Sequence, residues 1–382
     1  MVVGIRVSPV ATEPYGRLIL SLGTTSFQCD RMPHLLDQTI EQLQAWFAAR
    51  GMPTYRAGQA QRWLFEKRAG DFEDMTDLPK QVRVALAAEF RIWTSSVIKH
   101  QKTADGTEKL LLEMHDGHRI ECVLLRDRER RTICISTQVG CAMGCVFCAS
   151  GLEGVARNLT SGEIIEQMLL LNRLQTADER LNHIVVMGMG EPLANLKGLL
   201  PALAVATSPR GLGIGARKIT ISTVGLPEAL RRLAAENVNY HLAVSLHAPN
   251  DELRNRLVPV NRKIGIAAIM EAAEEYFAAT GRRLTFEYVL LAGINDGPEE
   301  ARQLVQVLRN RTALLNIIPF NPVSGLPYQT PSDEALAQFV SILERGGIAV
   351  KVRRRRGDKI DAACGQLRRS SAEAPPLVTL SG

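Results

Sequence analysis

The spacing of apolar positions divides this chain into a helical opening and a long strand-and-helix remainder. From Leu35 to about Ala88, Ile40, Leu43, Trp46 and Phe47 recur at three- and four-residue steps, which predicts an amphipathic helix ended by Gly51-Met52-Pro53. A second helix is expected from Arg56 to Lys67, with Trp63, Leu64 and Phe65 inward and Arg56, Arg62, Lys67 and Arg68 outward. Asp77-Leu78-Pro79 opens a third. Residues 34–95 thus read as a small helical module with a basic face. From about Val97 the pattern alternates, and 109–114 and 119–125 flank the turn sequence His115-Asp116-Gly117, predicting a strand pair. Further on, β-branched runs at 132–136, 183–187, 218–222, 241–245, 284–290, 314–319 and 348–352 alternate with helical stretches near 160–174, 196–207, 226–236, 264–280, 298–310 and 332–346. The first of these helices begins at Thr160-Ser161-Gly162-Glu163, a capping-box spacing. Strands alternating with helices of this length specify a parallel sheet with helices outside.

Six strand–helix units leading to a seventh strand suggest an α/β partial barrel, with a doubly wound sheet as the alternative. The barrel, the strand pair and a C-terminal loop occupy 96–369. Residues 1–33 mix Gly, Pro, Ser and Thr without period and read as a loosely ordered tail, and 370–382 form a second tail. No apolar run approaches the ~20 residues of a membrane span, and no signal peptide is evident. Composition is that of an ordinary globular protein, 46% hydrophobic and 23% charged. The net charge of +6 points mildly to a polyanionic partner. Seven cysteines, clustered in so long a chain, argue for metal and thiol chemistry in a reducing compartment, so a cytoplasmic setting is expected.

Cys141, Cys145 and Cys148 carry the strongest chemical signal, spaced C-x3-C-x2-C, with Gly140 and Gly144 easing a tight loop. Cysteine thiolates hold iron–sulfur clusters, and a four-iron cluster takes four ligands. Three are supplied, which leaves one iron open, as catalytic metal sites leave a position open and structural ones do not. The alternative is a structural zinc loop, which ordinarily pairs two C-x2-C knuckles where this chain has one.

The other polar motifs fall at the carboxyl ends of the predicted strands, the face on which α/β barrels build their sites. Gly188-Met189-Gly190-Glu191-Pro192 lets a backbone pass close to a ligand and offers a carboxylate to an ammonium group, though as a bare motif it reads as a turn. Ser222, Ser245-Leu246-His247 and Asn321-Pro322 close three further strands. Cys134 lies on or just after the first barrel strand. Cys364 sits in the small-residue loop 357–367, a poor core pattern, just after the arginine run 353–356, which would lower a thiol's pKa and attract phosphates. Cys122 and Cys29 read as inert hydrophobes.

Together these residues resemble the ribosomal and transfer RNA adenine methyltransferases of the radical S-adenosylmethionine class. The resemblance spans 35–369, from Tyr55-Arg56 and Asp77-Leu78-Pro79 through Val139-Gly140-Cys141 and Gly188–Pro192 to Ala362-Ala363-Cys364-Gly365-Gln366-Leu367. Lys359 departs from it, standing where such proteins usually carry an acid. The resemblance implies a 4Fe-4S cluster on Cys141, Cys145 and Cys148, and two S-adenosylmethionine molecules per turnover. Gly190, Glu191, Ser222, Ser245, Leu246, His247 and Asn321 would contact the cofactor. It further implies that Cys364 is methylated and then joined through that carbon to adenine, that Glu121 accepts the ring proton, and that Cys134 resolves the adduct, leaving a transient disulfide with Cys364. Pro192 favours carbon 2 of adenine. Implied partners are 23S ribosomal RNA, transfer RNA and a flavodoxin-like or ferredoxin-like electron donor, with a monomeric enzyme and no membrane. The alternatives are carbon-8 methylation of ribosomal RNA, a radical enzyme acting on protein or a small molecule, and a non-catalytic cluster- or zinc-bearing RNA-binding protein.

Overall fold

The computed structural model describes residues 32–236, 238–353, 357 and 360–368. The expectations for 1–31, Cys29, the arginines 354–356, Lys359 and 370–382 lie outside these residues.

Helices α1 (Ile40–Ala48), α2 (Arg56–Phe65) and α3 (Lys80–Glu89) come first. Thr39 caps α1 reciprocally with Gln42. Phe47 and Leu86 are fully buried between helices, and the Trp46 indole donates to Glu89 at 2.9 Å. The four antiparallel strands β1 (Ser95–Lys102), β2 (Glu108–Met114), β3 (Arg119–Asp127) and β4 (Arg130–Cys134) follow, and then the short pair β5 (Gln138–Gly140) and β6 (Val155–Asn158). The remainder alternates as α4 (Ser161–Arg173), β7 (His183–Val186), α5 (Leu196–Thr207), β8 (Ile219–Thr223), α6 (Pro227–Ala235), β9 (His241–Ser245), α7 (Asp251–Leu257), α8 (Ile266–Thr280), β10 (Leu284–Leu290), α9 (Pro298–Leu308), β11 (Ala313–Pro319), α10 (Asp333–Arg345) and β12 (Val350–Val352).

Among the described residues the main sheet has ten strands, ordered β1-β2-β3-β4-β7-β8-β9-β10-β11-β12. From β4 to β12 every pairing is parallel, and β1 and β12 remain edges, so the parallel part is a partial barrel. The expected strand pair is not an appendage. It enters the main sheet because β3 pairs antiparallel with β4, Val123 opposite Cys134. On β10, Phe286 and Tyr288 are fully buried beneath the helices, each worth roughly 1.5–3 kcal/mol of apolar burial. Ser222, Ser245 and Glu287 converge on the other side of the sheet, where Ser222 Oγ donates to Glu287 Oε2 at 2.8 Å.

The helical module shares its core with the barrel. The buried Glu166 carboxylate on α4 accepts hydrogen bonds from the backbone and hydroxyl groups of Thr94 and Ser95. Arg68 does not face outward as expected. It donates to the carbonyls of Gln175, Thr176 and Glu179, because those loop carbonyls have no ladder partners there. Trp63 is half-buried rather than inward, its indole bonded to Asp77 at 2.5 Å and its face covered by Lys67. The capping box at Thr160 and Glu163 forms as its spacing predicts. No helix among the described residues is long and apolar enough to cross a membrane.

Candidate active site

The carboxyl ends of the parallel strands open into a pocket. Its walls bring together Cys141, Cys145 and Cys148, then Gly188, Gly190 and Glu191, then Ser222, Ser245 and His247, and finally Asn321 and Cys364. Leu246 is absent from this wall. Its side chain is fully buried, and its carbonyl accepts from Arg254 Nε. Glu121 also lies off the wall, beneath the C-terminal loop.

The cysteine loop turns at Gly140 (φ 80°) and Gly144 (φ 67°), and Cys148 N–H closes back on the Cys145 carbonyl at 3.1 Å. Burial pushes the Cys141 thiol up to about 12 and raises Cys145 and Cys148 as well, so these sulfurs favour thiolate only beside a cationic group. The glycines of the next motif serve a closer purpose than ligand approach. A Cβ on Gly188 would lie 2.6 Å from the Ile135 carbonyl, and one on Gly190 (φ 101°) 2.6 Å from Gln138 Cβ. They allow the loop after β7 to lie against the segment after β4. Glu191, 2% exposed, accepts from the backbone N–H groups of Leu193 and Val224, and burial raises its pKa against those bonds.

His247 adopts a left-handed backbone (φ 60°) and packs its ring edge-on against Phe147 at 4.9 Å. Its Nδ1 accepts from Val289 N–H, so the ring proton sits on Nε2. Burial, reinforced by Arg254, lowers the imidazole to about 3. Arg254 is fully buried and ties the ends of β8 and β9 together through the carbonyls of Val224, Ser245 and Leu246.

The chain's return brings Cys364 to this mouth. Asn321 Nδ2 donates to the Cys364 carbonyl at 3.1 Å, Gly365 accepts from Ala149 N–H, Leu367 from Ser150 Oγ, and Gln366 donates to Pro322. Residue 364 is exposed as a whole, yet burial of its thiol raises the pKa and Arg353 only opposes the rise. The expected lowering by arginine is therefore reversed, because enclosure outweighs the one described guanidinium. Burial, then the nearby Cys364, push the Cys134 thiol up to about 12. Cys134 and Cys364 are both free thiols in this structure, as is the fully buried Cys122. Glu121 pairs with Lys109 at 2.7 Å, and its pKa is raised by burial against that partner.

Glu287 went unread in the sequence. It bonds Ser222, lies 3.6 Å from Arg353, and lines the pocket. An acid in the otherwise apolar run Phe286-Glu287-Tyr288 was the available signal.

Residues 135–305 match the Radical SAM superfamily, and residues 33–92 match the Ribosomal RNA large subunit methyltransferase N-terminal domain. A Rhodopirellula baltica protein described as "Probable dual-specificity RNA methyltransferase RlmN" is 61% identical over 343 residues, covering 90% of this chain and 92% of its own. The chain belongs to the dual-specificity RNA methyltransferase RlmN family. The similarly described protein of Symbiobacterium thermophilum is 46% identical over 333 residues, 86% of this chain and 90% of its own. The crystal structure of a radical SAM methyltransferase from Sphaerobacter thermophilus superposes with a TM-score of 0.86 at 43% identity, covering 88% of this chain and 100% of that one.

Membership of the RlmN family and of the Radical SAM superfamily implies a 4Fe-4S cluster and S-adenosylmethionine. The residues present fit both. Among the described residues no three His, Cys, Asp or Glu side chains are grouped to hold a single metal ion, whereas a cluster spreads its thiolates over separate irons. Asn321 Oδ1 is buried at the pocket with no protein partner, an acceptor suited to a polar ligand. The Glu191 carboxylate accepts from the N–H groups of Leu193 and Val224 and from Thr223, which leaves one lone pair of its four, suited to an ammonium group.

Proposed function

We propose that this protein methylates carbon 2 of adenine in 23S ribosomal RNA and transfer RNA, using two S-adenosylmethionine molecules per turnover. The observation that carries the reading is the placement of Cys364, on a loop 216 residues beyond Cys148 by numbering, in the wall that also holds the three-cysteine loop and Glu191. When bound, the cluster and cofactor supply an electrophilic methyl group and one-electron hydrogen abstraction. Cys141, Cys145 and Cys148 would hold the cluster. Gly190, Glu191, Ser222, Ser245, the Leu246 backbone, His247 and Asn321 would orient the cofactor.

Cys364 Sγ accepts a methyl group, and the resulting S-methyl loses a hydrogen atom. Its carbon then adds to carbon 2 of adenine and joins protein to RNA. One electron leaves the ring, which the bound cluster, having given one up for the hydrogen abstraction, would take back, and the Glu121 carboxylate takes the carbon-2 proton. Cys134 Sγ attacks Cys364 Sγ, and the sulfur–carbon bond breaks with its electron pair remaining on the carbon. Protonation completes the methyl group, and the two sulfurs remain as a disulfide that an outside reductant reopens. Pro192 supports carbon 2 over carbon 8. The reading calls for a flavodoxin-like or ferredoxin-like donor, a monomer and a cytoplasmic setting.

Mass spectrometry of adenines in ribosomal and transfer RNA, from cells with and without the protein, tests this. A 2-methyladenosine signal that follows the gene is expected. An 8-methyladenosine signal would move the reading to the carbon-8 alternative, and unchanged RNA would end it.

The helical module supplies RNA affinity in this reading. Lys67 is exposed and Arg56 half-buried on α2 and its exit. Deleting the module would bare the shared core, so charge changes are the cleaner probe. Arg56→Glu and Lys67→Glu should weaken RNA binding and each flatten its salt dependence by about one unit of slope, with cofactor cleavage intact. Filter binding across a salt series reads this out, and unchanged or salt-insensitive affinity contradicts it.

A further inference from the structure

Glu121 takes the ring proton in the steps above, whereas its ion-pair partner beneath the C-terminal loop, Lys109, has no part in them. Lys109 on β2 pairs in register with Val123 on β3, and Leu111 with Glu121, so Lys109 and Glu121 are diagonal neighbours on one face. Their side chains are 5% and 7% exposed, and Nζ lies 2.7 Å from Oε1. Lys109 Nζ also donates to the Asp361 carbonyl at 3.0 Å, while Glu121 Oε2 accepts from Arg368 N–H at 2.9 Å. Asp361 and Arg368 bracket Cys364. One buried pair therefore touches both sides of the segment that presents the methyl carrier.

Burying two charges is costly, and apolar residues of similar volume often serve stability as well or better. Stability alone is thus a poor reason for a lysine and a glutamate here, and the bonds to the loop supply a better one. We propose that Lys109 is a positioning residue for proton transfer: its ammonium keeps Glu121 charged and aimed, and its bond to Asp361 holds the Cys364 segment over the same carboxylate. This rests on the reading of Glu121 as the proton acceptor.

When the carbon-2–hydrogen bond breaks, its electron pair stays in the ring and its proton goes to Glu121. The carboxylate becomes neutral. The bond from Arg368 N–H then ends on a neutral acceptor and loses roughly half its strength, and Lys109 loses the ion-pair attraction to Glu121. The Cys364 segment is held tightest before the proton moves and is loosened afterwards, when Cys364 must turn to Cys134.

The test uses holoenzyme carrying Lys109→Met, Lys109→Arg or Glu121→Gln, with labelled RNA, cofactor and reductant. Intact-mass measurement reads Cys364 methylation, a denaturing gel reads protein–RNA crosslink, and amide exchange follows the peptide 360–368. Lys109→Met and Glu121→Gln should both methylate Cys364 and then stall as crosslink, with turnover down roughly 100-fold. An unpaired buried carboxylate takes its proton from solvent and has no place for another. Exchange across 360–368 should quicken in Lys109→Met, while Lys109→Arg keeps the charge, the slow exchange and most turnover. Wild-type turnover by Lys109→Met while Glu121→Gln stalls would overturn the inference and leave Glu121 as acceptor. Normal turnover by Glu121→Gln would overturn both. Parallel loss of Cys364 methylation and crosslink in Lys109→Met would mark a merely structural lysine and also overturn it. Should Lys109→Met fail to fold, Lys109→Gln is read by the same assays and the same outcomes.

Discussion

Cys134→Ala is expected to accumulate a denaturation-resistant protein–RNA species, and Cys364→Ala to form none. Cys134 ends β4 with Cys364 nearby, yet their proposed tasks are separable. Without Cys364 no methyl is carried and no bond to RNA can form. Without Cys134 the carrier still accepts methyl and still adds to adenine, but no thiol is at hand to release it. The crosslink should need both cofactor and reductant, and product RNA should fall to background in each single variant. Residues serving only the fold would behave differently, each substitution lowering stability by about 1–3 kcal/mol without trapping RNA. Denaturing gels of both variants and their double decide the matter. A crosslink from Cys364→Ala, or full turnover by either variant, refutes the assigned roles.

Replacing Cys141, Cys145 or Cys148 by Ala should remove iron, brown colour and cofactor cleavage together, and leave Cys364 unmethylated. The loop that carries these thiols is turned by glycines and braced by single bonds, such as Val146 N–H to the Leu257 carbonyl at 3.1 Å. The three cysteines are half-buried and desolvation raises their thiol pKa values, so each thiolate relies on the bound group, and losing one ligand of three leaves too few. Iron and sulfide assays with anaerobic absorption spectra provide the measurement. Stoichiometric zinc without iron in the unsubstituted protein would sink the cluster reading.

Much of the barrel was legible because its signals are local. The strands β9 and β10 and helix α5 occupy the expected ranges, since β-branched runs and capping residues fix their ends within one stretch of sequence. Pairing across distance was not legible. Nothing near residues 109–125 says that the strand pair continues into the main sheet through β4, and α7 is too short for its period to stand out. Among site residues, the cysteine loop and Glu191 announced themselves through spacing. Glu287 and Lys109 did not, because each looks like one polar residue on an alternating strand until its partner, 65 or 12 residues away, is brought beside it. Arg68 failed for the same reason, its carbonyl partners being more than 100 residues off.

The bond from Ser150 to Leu367 joins residues 217 positions apart. A ribosome adding about 5–20 residues per second needs roughly 10–40 s to make that stretch. Throughout this interval the three-cysteine loop exists in the growing chain without the segment that later covers it. The cluster that the family implies would therefore have a window for loading before Cys364 is present, and the segment bearing Cys364 would close over a site already charged with metal.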